Sequence, residues 1–145
     1  MFFFDFIGKK PYVERQLYIA VDFDNTLIVP AKEFRDESVQ YDEAEIAVLR
    51  EFLNNGQIKA YLFTSREGEW LDKAIRWIKE QNLNIVSYEQ FISEYYDGKY
   101  PQKPLFDVLI DDLACGVPVC NNNIGWYKVD LLKAIELIKA KYGIL

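Results

Sequence analysis

With 145 residues, half of them apolar and 28% charged, the chain is long enough for one substantial core and lacks the composition of a disordered protein. A net charge of −6 works against broad electrostatic capture of nucleic acid or anionic membrane, and no apolar run approaches the length of a membrane span. There is no histidine, which removes Ser-His-Asp hydrolysis, His-Cys pairs, phosphohistidine chemistry and most zinc-enzyme sites, so carboxylates must carry any acid-base work.

Residues 1–16 read as an aromatic extension. Met1 to Ile7 is too short and too poor in basic residues for a secretory signal, and Gly8 to Pro11 breaks it. It is expected to form an edge strand or flap on the core, or to contact a partner or second subunit. A hydrophobic run from Leu17 then ends in two acids, Asp22 and Asp24, separated by one residue. Continuous apolar runs of this kind suit a central parallel strand, and the C-terminal ends of such strands are where α/β folds bind ligands. Val29 to Asp42 reads as a polar connection. A helix is predicted to start at Asp42-Glu-Ala-Glu45, with acids near its positive end, and to bury Ile46, Leu49, Phe52 and Leu53 before Asn54-Asn-Gly56 stops it.

Ile58 to Thr64 predicts a second buried strand, leading into Thr64-Ser65-Arg66. The next helix is expected from about Gly68 to Gln81-Asn82, with Leu71, Ala74, Ile75 and Ile78 facing the core. Asn84 to Ser87 reads as a short third strand and Glu89 to Tyr96 as a short helix before the turn-rich Asp97 to Pro101. Lys103-Pro104 leads into a strand over Leu105 to Ile110 that ends in Asp111 and Asp112. Cys115 to Gly125 reads as a loop and Trp126 to Val129 as a small strand. Leu131, Ala134, Ile135 and Ile138 form the stripe of a final helix. The two cysteines, Cys115 and Cys120, lie too close in sequence for a stabilising staple and neither opens a Cys-x5-Arg loop. They read as reduced structural thiols of a cytoplasmic protein.

Strands alternating with amphipathic helices imply right-handed parallel crossovers and hence an α/β fold, a three-layer α/β/α sandwich over one domain spanning 1–145. Asp22, Asp24, Thr64, Asp111 and Asp112 then fall at predicted strand ends, with Lys103 in the loop entering the last of these strands. Carboxylates gathered at one rim repel one another when desolvated, and a divalent cation keeps them ionised. Oxygen-only donors favour Mg2+. Mg2+, a carboxylate nucleophile and a lysine are the parts of phosphoryl transfer through an aspartyl-phosphate. Structural readings stand beside these: Asp111-Asp112 as a turn pair, Thr64 as a strand-end hydroxyl, Lys103 as a solvated lysine. Ser65 and Arg66 either touch substrate or serve in helix capping and surface ion pairs.

Asp22-Phe-Asp24-Asn-Thr26, Thr64-Ser-Arg66, Lys103 and Asp111-Asp112 together resemble the four ordered motifs of the haloacid dehalogenase (HAD) superfamily of phosphohydrolases, over nearly the whole chain. The resemblance implies a Rossmann-like parallel sheet and a Mg2+-dependent phosphatase. In it Asp22 attacks phosphorus, and Asp24 protonates the leaving group and then activates the hydrolytic water. Asp22, the backbone carbonyl of Asp24, and Asp111 would hold the metal, with Asp112 as a further ligand or as the partner of Lys103. Thr64 would bind a phosphoryl oxygen, and Lys103 would offset the charge of Asp22 and the phosphate. Thr26 would stabilise the turn. The connections leave no room for a cap domain, so the resemblance is to small capless members, which act on macromolecular phosphates or use a neighbouring subunit of a homo-oligomer as a lid. The phosphorylated substrate is not identified. Alternatives are a nucleotidase or nucleic-acid end phosphatase, which the acidic charge disfavours, and a non-enzymatic phospho-accepting or partner-binding domain.

Overall fold

Leu17–Val21 carries no charged residue and forms β1, buried on both faces from Tyr18 onward. In the computed structural model, which describes residues 16–30, 39–95, 104–121 and 127–145, this strand is the hub of the sheet. It pairs in parallel with β2 (Ile58–Leu62) on one side and with β4 (Val108–Ile110) on the other, and β3 (Ile85–Val86) extends the sheet beyond β2. The strand order β3-β2-β1-β4 reverses direction at β1.

Alternation along β1 sorts the core into two layers. Ile19 and Val21 pack with Ile58, Ala60 and Leu62 against three helices: α1 (Glu43–Leu53), α2 (Gly68–Glu80) and α4 (Leu131–Tyr142). Tyr18 and Ala20 face the other way with Tyr61. They meet α3 (Tyr88–Tyr95) through Phe91 and Ile92, with Leu105 beside them. Right-handed crossovers require this split: β1-α1-β2 and β2-α2-β3 step outward on one side, whereas α3 returns the chain across β1 to β4 and must lie on the opposite face. The fold is therefore the expected three-layer α/β/α sandwich with a Rossmann-like parallel sheet. None of the described helices is long and apolar enough to cross a membrane.

The predicted helices form, α1 starting at the expected acids, α2 ending within two residues of the expected Gln81-Asn82, and α3 lying one residue earlier at each end than the expected Glu89 to Tyr96. Asp42 is the N-cap of α1, its carboxylate accepting from the amides of Ala44 (3.0 Å) and Glu45 (3.3 Å), and Gly143 closes α4 in the left-handed conformation. In α2 the buried face is Ala74, Trp77 and Ile78, with Leu71 and Ile75 packed at its margin. The structure departs from the sequence reading in three places. The strands are shorter than expected, β2 ending at Leu62 and β4 beginning at Val108. The loop expected from Cys115 contains a strand, β5 (Val119–Asn121), which forms an antiparallel hairpin with β6 (Tyr127–Val129). Val29, expected in a polar connection, is buried and exchanges backbone hydrogen bonds with Gln40. The N-terminal extension up to residue 15, Lys103 and Trp126 lie outside the described residues.

Candidate active site

Val21 is paired with Ile110, and the Asp22 amide continues that pairing by donating to the Ile110 carbonyl at 2.9 Å. The next residues on the two strands, Asp22 and Asp111-Asp112, are thereby delivered side by side at the C-terminal rim. This is the point where the strand order reverses. Strands leaving a switch point send their following loops in opposite directions, which opens a crevice there. Carboxylate oxygens of Asp22, Asp111 and Asp112 lie within 4.8 Å of one another, and all three residues are half-buried.

Such crowding has an electrostatic consequence. Burial is the main cause that pushes the Asp22 carboxyl from its ordinary 3.8 up to about 7. The charges of Asp111, Asp112 and Asp24 raise it further, and a hydrogen bond from the Phe23 amide opposes the shift. Asp112 is also raised, first by burial and then by Asp111 beside it. Among the described residues no lysine or arginine pairs with these three acids. The donor set is all oxygen and short of positive charge, and it fits a hard divalent cation such as Mg2+.

The turn after Asp22 is tightly built. Leu27 donates its amide to the Phe23 carbonyl at 3.0 Å, Asn25 takes a left-handed φ of 56°, and the Thr26 hydroxyl donates to Asp22 at 3.4 Å from a fully buried position. Asparagine is among the few residues that accept this backbone conformation at low cost. The β6 strand braces the turn, the Val129 amide donating to the Asn25 carbonyl at 2.9 Å. On the acid-bearing loop after β4, Asp111 accepts from the Leu113 amide at 3.0 Å.

Asp24 is not part of the three-acid group. Its two carboxylate oxygens accept from Arg66, from Nε at 2.8 Å and from a terminal nitrogen at 2.6 Å. Arg66 comes from the segment after β2, where the Phe63 amide donates to Val21 and so holds Thr64 at the same rim. The Thr64 hydroxyl accepts from the Arg66 amide at 3.2 Å, which ties the Thr64-Ser65-Arg66 bend together. Ser65 is exposed.

The sequence reading missed one charged group beside the site. Lys128 on β6 is fully buried and donates to Glu45 of α1, whose other oxygen accepts from the Leu131 amide at 3.3 Å. Read from the sequence, Glu45 is simply an acid at the helix start. Its position one and two turns before Leu49 and Phe52, on the apolar stripe, is the signal that could have found it.

The sheet order defines a doubly wound α/β protein with three acids gathered at its switch point. A conserved protein encoded by a locus of Bacteroides thetaiotaomicron is a similar solved structure, with 25% identity, a TM-score of 0.57 and coverage of 88% of this chain and 93% of that one. No protein-family model matches the chain, and no curated protein matches it.

Proposed function

We propose that this protein is a Mg2+-dependent phosphatase of the HAD type that hydrolyses a phosphomonoester through an aspartyl-phosphate on Asp22. The observation that carries the reading is the meeting of Asp22 with Asp111 and Asp112 at the switch point, oxygens within 4.8 Å, at the ends of two paired strands. Asp22, Asp111 and Asp112 would hold the metal, which when bound offsets the negative charge that gathers as a phosphate approaches three acids.

An Asp22 oxygen attacks phosphorus, and the bond from phosphorus to the leaving oxygen breaks. Asp24 gives that oxygen a proton, for which one of its oxygens first has to exchange its hydrogen bond from Arg66 for the proton. Water then attacks the phosphorus of the aspartyl-phosphate, its proton passes to Asp24, and cleavage of the bond to Asp22 restores the carboxylate and releases phosphate. The Thr64 hydroxyl, from the same rim, donates to a phosphoryl oxygen. Lys103 is assigned charge compensation on the strength of the motif order alone.

The experiment is a phosphatase screen with Mg2+ across metabolites, nucleotides and 3′- or 5′-phosphorylated oligonucleotides, with Asp22→Asn as control. Turnover is expected to require Mg2+ and to fall by about 10^4-fold or more in the variant. Full activity in Asp22→Asn contradicts the assignment of the nucleophile.

A further inference from the structure

Arginine beside a phosphate site is ordinarily read as an anion ligand, but Arg66 is already occupied. Its guanidinium forms a two-pronged pair with Asp24, lies 4.6 Å from the centre of the Phe23 ring and 5.0 Å from that of Trp70, and donates to the Trp70 carbonyl at 3.4 Å. Its side chain is only 8% exposed, whereas the Asp24 carboxylate it holds is 29% exposed. The cation is enclosed and the acid remains reachable. A fork of two parallel hydrogen bonds fixes the plane of a carboxylate as well as its place, and packing against two rings fixes the fork in turn.

Asp24 is two residues from Asp22, on the turn that leaves β1 at the rim where the three acids meet. An unrestrained carboxylate on the same turn is drawn toward any divalent cation held by Asp22, Asp111 and Asp112. There it would take a ligand position and leave the side from which a leaving group departs. We infer that Arg66 is a positioning residue that holds the Asp24 carboxylate out of the three-acid cluster, and that it does not bind the substrate phosphate. This inference rests on the proposed phosphatase reading for its catalytic consequence. Its structural claim, that Arg66 keeps Asp24 off the metal, stands independently of turnover.

The test uses the full chain and four variants, Arg66→Gln, Arg66→Lys, Asp24→Asn and the Arg66→Gln/Asp24→Asn pair, with Mg2+ binding measured by calorimetry. Released Asp24 adds a charged ligand, so Arg66→Gln is expected to bind Mg2+ about fivefold tighter or more, and the double variant to return to the Asp24→Asn value. Arg66→Lys keeps a cation on an aliphatic stem against the two rings but loses the fork. It is expected to lie between wild type and Arg66→Gln, and it gives a reading should Arg66→Gln fold poorly. With a phosphate ester that is turned over, Arg66→Gln is expected to lower kcat by about 100-fold with KM nearly unchanged. That loss should be larger for an alkyl than for a p-nitrophenyl leaving group and absent in the Asp24→Asn background. A raised KM with kcat retained makes Arg66 a phosphate ligand and overturns the inference. If no ester is turned over, the metal series decides alone: Mg2+ affinity that is the same in wild type, Arg66→Gln and Arg66→Lys also overturns it.

Discussion

Glu45 and Asp22 are both acids withdrawn from water, and the fold treats them differently. Glu45 receives a fully buried lysine and a backbone amide, so its charge is answered inside the protein. Asp22 receives the Phe23 amide and a long contact from the Thr26 hydroxyl, and is then set against two more acids. One pair is closed and internally balanced, holding β6 to α1 behind the turn. The other group gathers three acids at the switch point of the sheet, with no lysine or arginine paired to them among the described residues. Among the described residues Glu45 is answered by a cation and Asp22 is not, and the proposed function assigns that missing charge to a bound divalent cation together with Lys103.

Breaking the closed pair gives the largest expected effect on stability. Lys128→Met strands Glu45 as an unpaired buried acid and should cost about 3–5 kcal/mol in urea unfolding. Lys128→Met combined with Glu45→Leu should recover most of that loss, because apolar residues of similar volume replace a buried pair nearly neutrally. Recovery absent in the double variant would place the pair's value in something other than charge balance.

Supplying the open cluster with its cation is the next largest. At a Mg2+ concentration of about 100 Kd, binding to the folded state alone should stabilise the protein by about 2.7 kcal/mol, seen as a rise in Tm that a chelator reverses. In Asp22→Asn the metal-free Tm should rise and the response to Mg2+ should shrink. The pH dependence has a definite sign. Asp22 titrates at about 7 in the fold against an ordinary 3.8, so the folded state holds the extra proton between those values. Its contribution is fully present below about 3.8 and is lost as pH rises through about 7. Metal-free Tm should therefore fall across that window, and the Mg2+ response should grow as protons leave the cluster. Melting curves at several pH values, with Mg2+ and with chelator, check both.

The smallest expected effect lies away from either charged group. Asp42→Ala removes the cap of α1 and should cost about 1 kcal/mol, with no change in Mg2+ response.

Much of this arrangement was legible in the sequence because it follows from local rules. The apolar run at Leu17–Val21, the acids after it and after Ile110, the Asp42 cap and the helix stripes each depend on a few neighbouring residues, and the crossover rule then fixes the layers. What was not legible depends on partners distant in sequence. Glu45 meets Lys128 across 83 residues, and Arg66 meets Asp24 across 42. Val119–Asn121 contains a polar asparagine in a short segment, so no periodicity separates it from a loop until β6 pairs with it. Val29 is buried by its exchange with Gln40, which a polar reading of the connection could not anticipate.

The most direct measurement of the central claim is chemical trapping at residue 22. Borohydride reduces an aspartyl acyl phosphate to homoserine, so protein quenched during turnover should yield a peptide carrying homoserine in place of Asp22, dependent on both Mg2+ and substrate. Steady phosphate release with Asp22 unmodified, or with the label on another residue, would contradict the account.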